Sequence, residues 1–522
     1  MARPIHVSLA PVSRDLPEII DLEGESRLSV DAVIGGARAP RWKVHDRTHI
    51  ECGIDWDLVP GLSTTELEWE AYFFVPESLR LERSTYGKQE IYTDLRSYVR
   101  LAVPESTFRE LLGESLAGLR AVLAGDDPHK AVYEMRFFAC QVRAAAARAH
   151  NEIMALLRSN GARARASAFA QTSTLMEDAA LVLRELRSAL DSSEKLADPA
   201  PAAAQWVDED VSRMIETLAG ELSLALAKAD APEAVRRVAE DLAASEARYR
   251  KSEGLSGVAW AGIDKRDVEH LEFRRHVLKR FTASALWLDP QLKDPSRWAL
   301  HLLYAIAAGV AMAFAVVAAL WNGIDAPGDK LWIWGAIVVI AYMAKDRIKA
   351  FLQDVFAAVI SKRFADRRWV IAEENSHNVL GHADERVDFV PFASVPPDVL
   401  TVRRATRVHV LEEGARPETV LWHRKDVTID TDAVTSVDSR VDAMREILRL
   451  DLRHWLAHTD DPKRRIVFAD PDTGDICSAM APRVYNVAIV YRMRQKGDTK
   501  APWHRVRVVV TRKGIRRIDR IS

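Results

Sequence analysis

Two histidines that lie four residues apart, His454 and His458, form the pattern in this sequence that most resembles a chemical site. On a helix, side chains at positions i and i+4 share one face, and zinc ligands often have this spacing. Asp461 follows three residues later and offers a carboxylate. The pattern therefore indicates a candidate metal site of a metal-dependent hydrolase or nuclease, with these three residues as its ligands.

The same histidines also have a structural interpretation. Trp455 and Leu456 occupy places between them, and the glutamate of a His-Glu-x-x-His motif is missing. Histidines near the C-terminal end of a helix interact favourably with the helix dipole. The sequence contains no phosphate-binding loop, nucleophile elbow, kinase motif or dinucleotide fingerprint. We therefore predict no catalytic residue, no resident metal and no cofactor, with the His454 cluster as the alternative.

A helix over Val441–His458 would position the two histidines, because its apolar residues recur at helical spacing. Around it, alternation of apolar and polar residues predicts a β-rich C-terminal domain. Its expected strands are Thr406–Leu411, Thr419–Trp422, Arg465–Phe468, Tyr485–Met493 and His504–Thr511.

The last forty residues, Arg483–Ser522, hold twelve basic residues and two acidic ones, although the whole chain has a net charge of −2. Three interpretations stay open: contact with an anionic lipid leaflet, binding of nucleic acid, and docking onto the acidic N-terminal half. We expect leaflet contact, because only Trp503 offers a stacking surface for a nucleic acid. The candidate surface for anionic lipid or nucleic acid consists of Arg492, Arg494, Arg505, Arg507, Arg512, Lys513, Arg516 and Arg517.

The first hundred residues have a strand-rich pattern, which is clearest at Glu66–Val75, where apolar and polar residues alternate. The segment continues with a Phe-Phe-Val-Pro run and a Tyr-x-Asp-Leu-x-x-Tyr-x-Arg motif. The residues of these motifs are Phe73–Pro76, Tyr92, Asp94, Leu95, Tyr98 and Arg100. With the hydrophobic hairpin described below, this region resembles a group of uncharacterised bacterial inner-membrane proteins. The resemblance implies a membrane location and no activity.

Residues 105–255 show heptad-like spacing of apolar residues in three stretches, separated by Gly, Asn and Pro. Asp127–Pro128 and Ala231–Pro232 are typical helix starts, with proline in the first turn. The pattern predicts a helical bundle or coiled-coil-like region. A structural bundle and an oligomerisation or partner-docking module are both consistent with it.

Two apolar segments joined by a short polar loop dominate the middle of the chain. Trp298–Trp321 holds 24 residues without a charge, or about 36 Å of helix, against a hydrocarbon core of about 30 Å. Leu331–Ala344 holds only 14, and whether it spans fully is left open. The pattern predicts a two-helix transmembrane hairpin, with the lipid bilayer as a partner.

Charges around this hairpin predict its orientation. Lysines and arginines concentrate outside its two ends, whereas the loop Asn322–Lys330 has one basic residue. Because positive charge stays on the cytoplasmic side, we expect a multi-pass protein of a bacterial inner membrane with both termini cytoplasmic. Three widely separated cysteines and the lack of a signal peptide fit this location.

Small residues recur at every fourth position of the first apolar segment, at Ala305, Gly309 and Ala313. Such a stripe lets another helix approach closely. We expect it to pack most simply against Leu331–Ala344, and together with the heptad spacing it predicts a homo-oligomer.

The predicted fold class is therefore a multidomain α+β membrane protein. It combines an N-terminal strand-rich domain, a helical bundle, a two-helix transmembrane hairpin and a C-terminal β-rich α+β domain. The predicted boundaries are 1–104 for the N-terminal domain, 105–255 for the bundle, 256–296 for a linker helix, 297–344 for the hairpin, 345–371 for a stalk helix and 372–522 for the C-terminal domain.

The function that these features favour is that of a membrane-anchored cytoplasmic scaffold or sensor, non-catalytic and self-associating. Two alternatives from other classes remain. One is the metal-dependent hydrolase or nuclease in the C-terminal domain, and the other is a membrane-perturbing effector assembled from hairpins. The identity of protein partners is left open.

Overall fold

The structure is a computed structural model of the 522-residue chain. The residues that it describes are 40–59, 61–159, 161–255, 265–293, 297–323, 331–374, 377–405, 418–498 and 500–521. The predicted strand Thr406–Leu411 and most of the loop Asn322–Lys330 lie outside these residues.

Helices form the middle of the chain and strands its two ends. The helices are α1 (Lys88–Asp94), α2 (Phe108–Glu110), α3 (Leu116–Leu123), α4 (Pro128–Arg158), α5 (Ala162–Leu190), α6 (Ala200–Lys228), α7 (Glu233–Ser252), α8 (Lys265–Ala283), α9 (Arg297–Gly323), α10 (Leu331–Arg363), α11 (Pro397–Arg404), α12 (Thr431–Val437) and α13 (Arg453–Leu456). The strands are β1 (Arg41–Val44), β2 (His49–Asp57), β3 (Thr64–Pro76), β4 (Leu95–Leu101), β5 (Leu288–Lys293), β6 (Arg367–Glu373), β7 (Val379–Val390), β8 (Glu418–Asp430), β9 (Ala443–Asp451), β10 (Lys463–Ala469), β11 (Ile476–Pro482), β12 (Tyr485–Gln495), β13 (His504–Thr511) and β14 (Gly514–Ile521).

An antiparallel sheet in the order β14-β13-β12-β3-β8-β7-β6-β5 is the largest element of the fold. Its centre is β3, which pairs with β12 on one side and with β8 on the other. Strands from the two ends of the sequence therefore share one sheet. The alternation predicted for Glu66–Val75 lies within β3, whose Trp69, Phe73 and Val75 belong to the main core.

A second sheet, in the order β1-β2-β9-β4, shares the hydrophobic core of the first. Trp56 from β2 and Met444 from β9 are buried with Trp69 from β3 and Leu421 from β8. The opposite face of the large sheet carries a smaller apolar cluster, in which Tyr72, Phe74 and Val420 pack with Val395 and Val399.

Helices α4 to α7 form the predicted bundle around a core of their own. Asp127 caps α4 by accepting from the backbone N–H of His129 at 3.0 Å, with Pro128 at the first position, as expected from the sequence. The bundle is attached to the sheets through Arg440, whose guanidinium forms two 2.9 Å hydrogen bonds with Glu134 of α4 and covers the ring of Phe137.

The central apolar helices do not form the predicted membrane hairpin. Over the residues that the structure describes, no helix is both long and apolar enough to cross a membrane. In α10 the apolar stretch ends at Ala344, where the charged residues Lys345 and Asp346 follow without a break in the helix. The predictions of a transmembrane hairpin, of this fold class and of a multi-pass inner-membrane location are therefore wrong, and the fold is a mixture of helices and several sheets.

The helix predicted over Val441–His458 is also wrong. Residues Ala443–Asp451 form β9, the strand between β2 and β4, and only Arg453–Leu456 are helical. Met444 and Leu448, four residues apart, fit both a helical and an alternating period, and pairing on both edges favours the strand.

Candidate functional site

His454 and the N-terminal region meet in a small polar cluster. Nδ1 of His454 lies 2.7 Å from Oδ2 of Asp94, the last residue of α1. The hydroxyl of Tyr86 donates to the same Oδ2 at 2.8 Å and accepts from Nε1 of Trp455 at 3.2 Å. The Asp94 side chain is 5% exposed and that of His454 is 57% exposed. A buried carboxylate thus orients an exposed imidazole, as in the base of many hydrolases.

The other proposed metal ligands have different surroundings. His458 lies in an exposed turn after α13, and Asp461 accepts from the guanidinium of Arg512 at 3.2 Å. Among the residues that are described, no group of three or more His, Cys, Asp or Glu side chains could hold a metal ion. The geometry at His454 therefore favours a role in proton transfer. Among the described residues, it does not provide a set of ligands for a metal ion.

Five of the eight residues of the predicted basic surface are engaged with carboxylates. Arg492 and Arg494 of β12 bind Glu70 and Glu68 of β3, at 2.8 Å and 2.6 Å. Arg507 and Arg517 share the carboxylate of Asp519, and Arg512 binds Asp461. Arg505 is buried, whereas Lys513 and Arg516 are exposed. Two of these eight residues, Arg492 and Arg494, are thus placed against the acidic β3, whereas Arg507, Arg512 and Arg517 bind carboxylates of the C-terminal region itself.

The stripe of small residues on α9 faces away from α10. Ala305, Gly309 and Ala313 are exposed, whereas Ala307 and Ala311 are buried on the side that packs against α10. The packing of the stripe against another helix therefore stays a prediction.

A cleft of about 590 Å³ lies where the pairing of β7 with β6 ends. Its charged wall contains three cationic side chains and two carboxylates, Arg83, Lys88, Arg386, Asp366 and Asp388. Lys88 lies 2.5 Å from Asp366, and Arg83 binds Asp388. We call it the Asp366 cleft, because this residue joins its walls.

Asp366 connects three elements at the open edge of β7. Its Oδ1 accepts from Lys88 of α1, and its Oδ2 accepts from the hydroxyl of Tyr92 at 3.2 Å and from the backbone N–H of Val387 at 2.9 Å. Burial and the negative charges of Glu385 and Asp366 raise the pKa of Tyr92 well above its ordinary value, so this phenol stays a donor. At Val387, β7 no longer pairs with β6. The carboxylate of Asp366 therefore takes the place of a strand partner and accepts from the backbone N–H of Val387.

A chain of buried ionisable groups runs behind the cleft on β7, β8 and β9. His423 binds Glu385 at 2.8 Å, and Lys425 forms an ion pair with Glu446. All four side chains are at most 3% exposed. The chain keeps the strands that carry the cleft in register, because each charged group has its partner on another strand.

No protein-family model, curated protein or solved structure matches the chain. The sequence motifs did not identify the cleft, although Tyr92, which bonds to Asp366 of the cleft, belongs to the motif on which the resemblance is based. Lys88, Asp366, Arg386 and Trp422 belong to four separate segments, and no local spacing connects them.

Proposed function

We propose that this chain is a non-catalytic sensor and scaffold that binds a small anionic ligand in the Asp366 cleft. The position of Asp366 is the main support: it lines the cleft and lies three residues after α10 ends at Arg363. Its bonds to Lys88, Tyr92 and Val387 tie the end of the α9–α10 hairpin to α1 and β7. Ligand binding in the cleft therefore changes the contacts of Asp366, the residue that ties the end of the hairpin to the sheet.

Competition for Lys88 provides the coupling. An anion in the cleft attracts the ammonium group of Lys88, which otherwise binds Asp366, so the bonds at the end of α10 differ between the bound and the free chain. A ligand shifts a conformational equilibrium only by such a difference in contacts. The α9–α10 hairpin is then the part of the chain whose conformation responds to the ligand.

Hydrogen exchange of the backbone amides of residues 352–366, with and without inorganic phosphate, tests this function. We expect phosphate to change exchange in the wild-type chain and to leave it unchanged in Lys88→Gln. Lys496→Gln is the matched control, because Lys496 also binds a carboxylate, Glu66 at 3.1 Å, on a different part of the sheet. If phosphate causes no change in the wild-type chain, or the same change in Lys88→Gln, the proposal is wrong.

Self-association is the scaffold part of the proposal. Leu302, Ile306, Val310, Phe314 and Val317 of α9 are between 44% and 58% exposed. An exposed apolar face of this kind marks a surface for association. We propose that α9 packs against α9 of a second copy, with Gly309 where the helices approach.

The Asp94–His454 pair favours a second candidate function, hydrolysis with His454 as the general base. Since Asp94 engages Nδ1, Nε2 is the nitrogen that can take a proton from water. p-Nitrophenyl acetate and p-nitrophenyl phosphate are suitable probes. Hydrolysis that His454→Asn abolishes and His458→Asn preserves would support this function, and a wild-type chain without hydrolysis would exclude it for both ester classes.

A further inference from the structure

We infer that the β-hairpin formed by β10 and β11 binds the same β-hairpin of a second copy of the chain. In this contact, β10 pairs antiparallel with β10 of the second copy. The surface is separate from the exposed face of α9, and the contact depends neither on α9 packing nor on a ligand in the Asp366 cleft.

In the described part of the chain, both edges of this β-hairpin are open, because β10 and β11 pair only with each other. The base of the β-hairpin is fixed. The backbone N–H of Arg483 donates to Pro462 at 2.9 Å, and the guanidinium of Arg483 binds Asp460 at 3.0 Å. A two-stranded sheet is only marginally stable by itself, and an open strand edge is a template for another strand. The β-hairpin therefore presents a fixed edge that can accept a further strand.

Apolar residues are exposed on both faces of the β-hairpin. In the middle of β10, Ile466, Val467 and Phe468 are 42%, 62% and 38% exposed. On β11, Ile476 and Met480 are 76% and 58% exposed. Successive residues of a strand point to opposite faces, so apolar side chains meet solvent on both faces. Exposed apolar area of this kind marks a surface for association.

The edge of β10 is better suited to pairing than the edge of β11. The backbone N–H of Asp470 donates to the carbonyl of Asp475 at 2.9 Å, across the β-hairpin. Because the direction of the backbone groups alternates along a strand, those of Arg465 and Val467 point away from β11. On β11 the same alternation puts Pro482 at an outward position, opposite the start of β10, and proline has no N–H to donate.

The charges at the two ends of β10 are opposite in sign. The strand begins with three basic residues, and the loop that follows it contains three acidic ones. When two identical strands pair antiparallel, the start of each strand lies beside the end of the other. The β-hairpin is therefore complementary in charge to a second copy of itself. The residues are Lys463, Arg464 and Arg465 at the start, and Asp470, Asp472 and Asp475 in the loop.

A two-fold axis at Val467 gives the register in which these charges match. Val467 then lies opposite Val467 of the second copy in a hydrogen-bonded pair, because its backbone groups point outward. Arg464 lies opposite Asp470 of the second copy, and Ile466 lies opposite Phe468. Two-fold symmetry forms each of these pairs twice, and both kinds of pair stabilise a sheet. An axis at Ile466 would instead place Arg464 opposite Phe468 and lose both ion pairs.

The size of this contact makes it transient. A single pair of strand edges buries far less than the total of about 1,200 Å² that a stable protein interface requires. Dilute chains that lack the α9 contact therefore stay mainly monomeric, and covalent trapping is the suitable measurement of the strand contact.

Disulfide cross-linking of Val467→Cys tests the pairing, in chains that also carry Gly309→Leu and Cys477→Ser. The first background change removes the α9 contact, and the second removes the partly exposed native thiol of the β-hairpin. With copper phenanthroline as the oxidant, Val467→Cys should form dimers about tenfold faster than Met480→Cys, because only opposite residues lie within disulfide range. Met480 is the matched control, since it is equally exposed but lies on β11.

Charge variants in the same background test the register. Arg464→Gln and Asp470→Asn should each slow the cross-linking of Val467→Cys by about fivefold, because each removes both symmetric ion pairs. Asn at position 470 keeps the acceptor oxygen for the backbone N–H groups of Asp472 and Thr473, so the loop retains its bonds. Arg464→Lys and Asp472→Asn are the matched controls and should leave the rate unchanged.

Each alternative outcome overturns a defined part of the inference. Cross-linking of Met480→Cys as fast as that of Val467→Cys would overturn the assignment of the contact to the edge of β10. Slow cross-linking at both positions would overturn the contact between copies. Equal rates for Arg464→Gln and Arg464→Lys would overturn the register. Since the chains lack the α9 contact and no phosphate is added, these outcomes are independent of the proposed function.

Discussion

The indole N–H of Trp69 donates a hydrogen bond to Nδ1 of His423 over 3.1 Å, in the core that the two large sheets share. Nδ1 must therefore be unprotonated, so Nε2 carries the proton and donates it to Glu385 at 2.8 Å. Glu385 also accepts from Nε1 of Trp369 at 3.0 Å. The imidazole is neutral and the carboxylate is charged, with Lys425 close by.

Glu385 gives the fold a defined acid sensitivity. Burial alone would raise the pKa of Glu385, but the hydrogen bond from His423 and the charge of Lys425 lower it from 4.5 to about 2. A lowered pKa stabilises the fold fully above pH ~4.5, and this contribution, of the order of 3 kcal/mol, is lost as the pH falls towards 2. Urea unfolding midpoints measured between pH 7 and pH 2.5 should fall steeply in the wild-type chain and less in Glu385→Gln. Glu66→Gln, at a 46% exposed position, should keep the wild-type slope.

Lys425 and Glu446 form the second buried pair, and removing one partner should cost far more than removing both. Trp56 also donates to Glu446 at 3.0 Å, and Ser97 accepts from Lys425 at 3.3 Å. Lys425→Met leaves a buried charge without its partner and should lower the free energy of unfolding by about 3–5 kcal/mol.

Urea denaturation is the measurement for this pair, and Lys496→Met is its control. Lys496 is 61% exposed, so its loss should cost less than about 1 kcal/mol. Adding Glu446→Gln to Lys425→Met should restore much of the stability, because the amide still accepts hydrogen bonds. An equal, small effect of both lysine substitutions would contradict a structural role of the buried pair.

The strands with clear alternation could be predicted from the sequence, whereas the charged core could not. Leu421, Val427 and Ile429 of β8 point into the core, but His423 and Lys425 share that face. Their partners Trp69 and Glu446 lie 354 and 21 residues away along the chain. Because this pairing depends on the order of the strands, no local pattern reveals it.

The candidate site was predictable in part. The sequence identified His454 through its spacing from His458, yet the structure places it on Asp94, 360 residues away. The helical interpretation of Val441–His458 hid this contact, since apolar residues of β9 also recur at helical spacing. No sequence pattern marks Asp366, because its role depends on its contact with the edge of β7 in the folded chain.

Tyr86 should be a stability determinant of the His454 cluster. Its hydroxyl donates to Asp94 and accepts from Trp455, and all three side chains are buried. Tyr86→Phe removes both bonds and leaves a carboxylate and an indole N–H with fewer partners, which should cost about 1–3 kcal/mol. Thermal unfolding measures the loss. Tyr98→Phe is the control, because Tyr98 is 46% exposed and should tolerate the change. A neutral Tyr86→Phe would show that water replaces the hydroxyl.

Gly309 offers a test of self-association that leaves the fold of one chain undisturbed. A Cβ built at Gly309 meets no atom within 4 Å, so the first carbon of a larger side chain has free space inside the chain. If α9 packs against α9 of a second copy, Gly309→Leu separates the two helices, because close approach depends on the missing side chain. Light scattering after size-exclusion chromatography should show an oligomer for the wild-type chain and mainly a monomer for Gly309→Leu. Gly118→Leu is the matched control, since Gly118 is an exposed helical glycine of α3 with nothing within 4 Å of its built Cβ. A monomeric wild-type chain at micromolar concentration, or an oligomer that Gly309→Leu leaves intact, would contradict this mode of association.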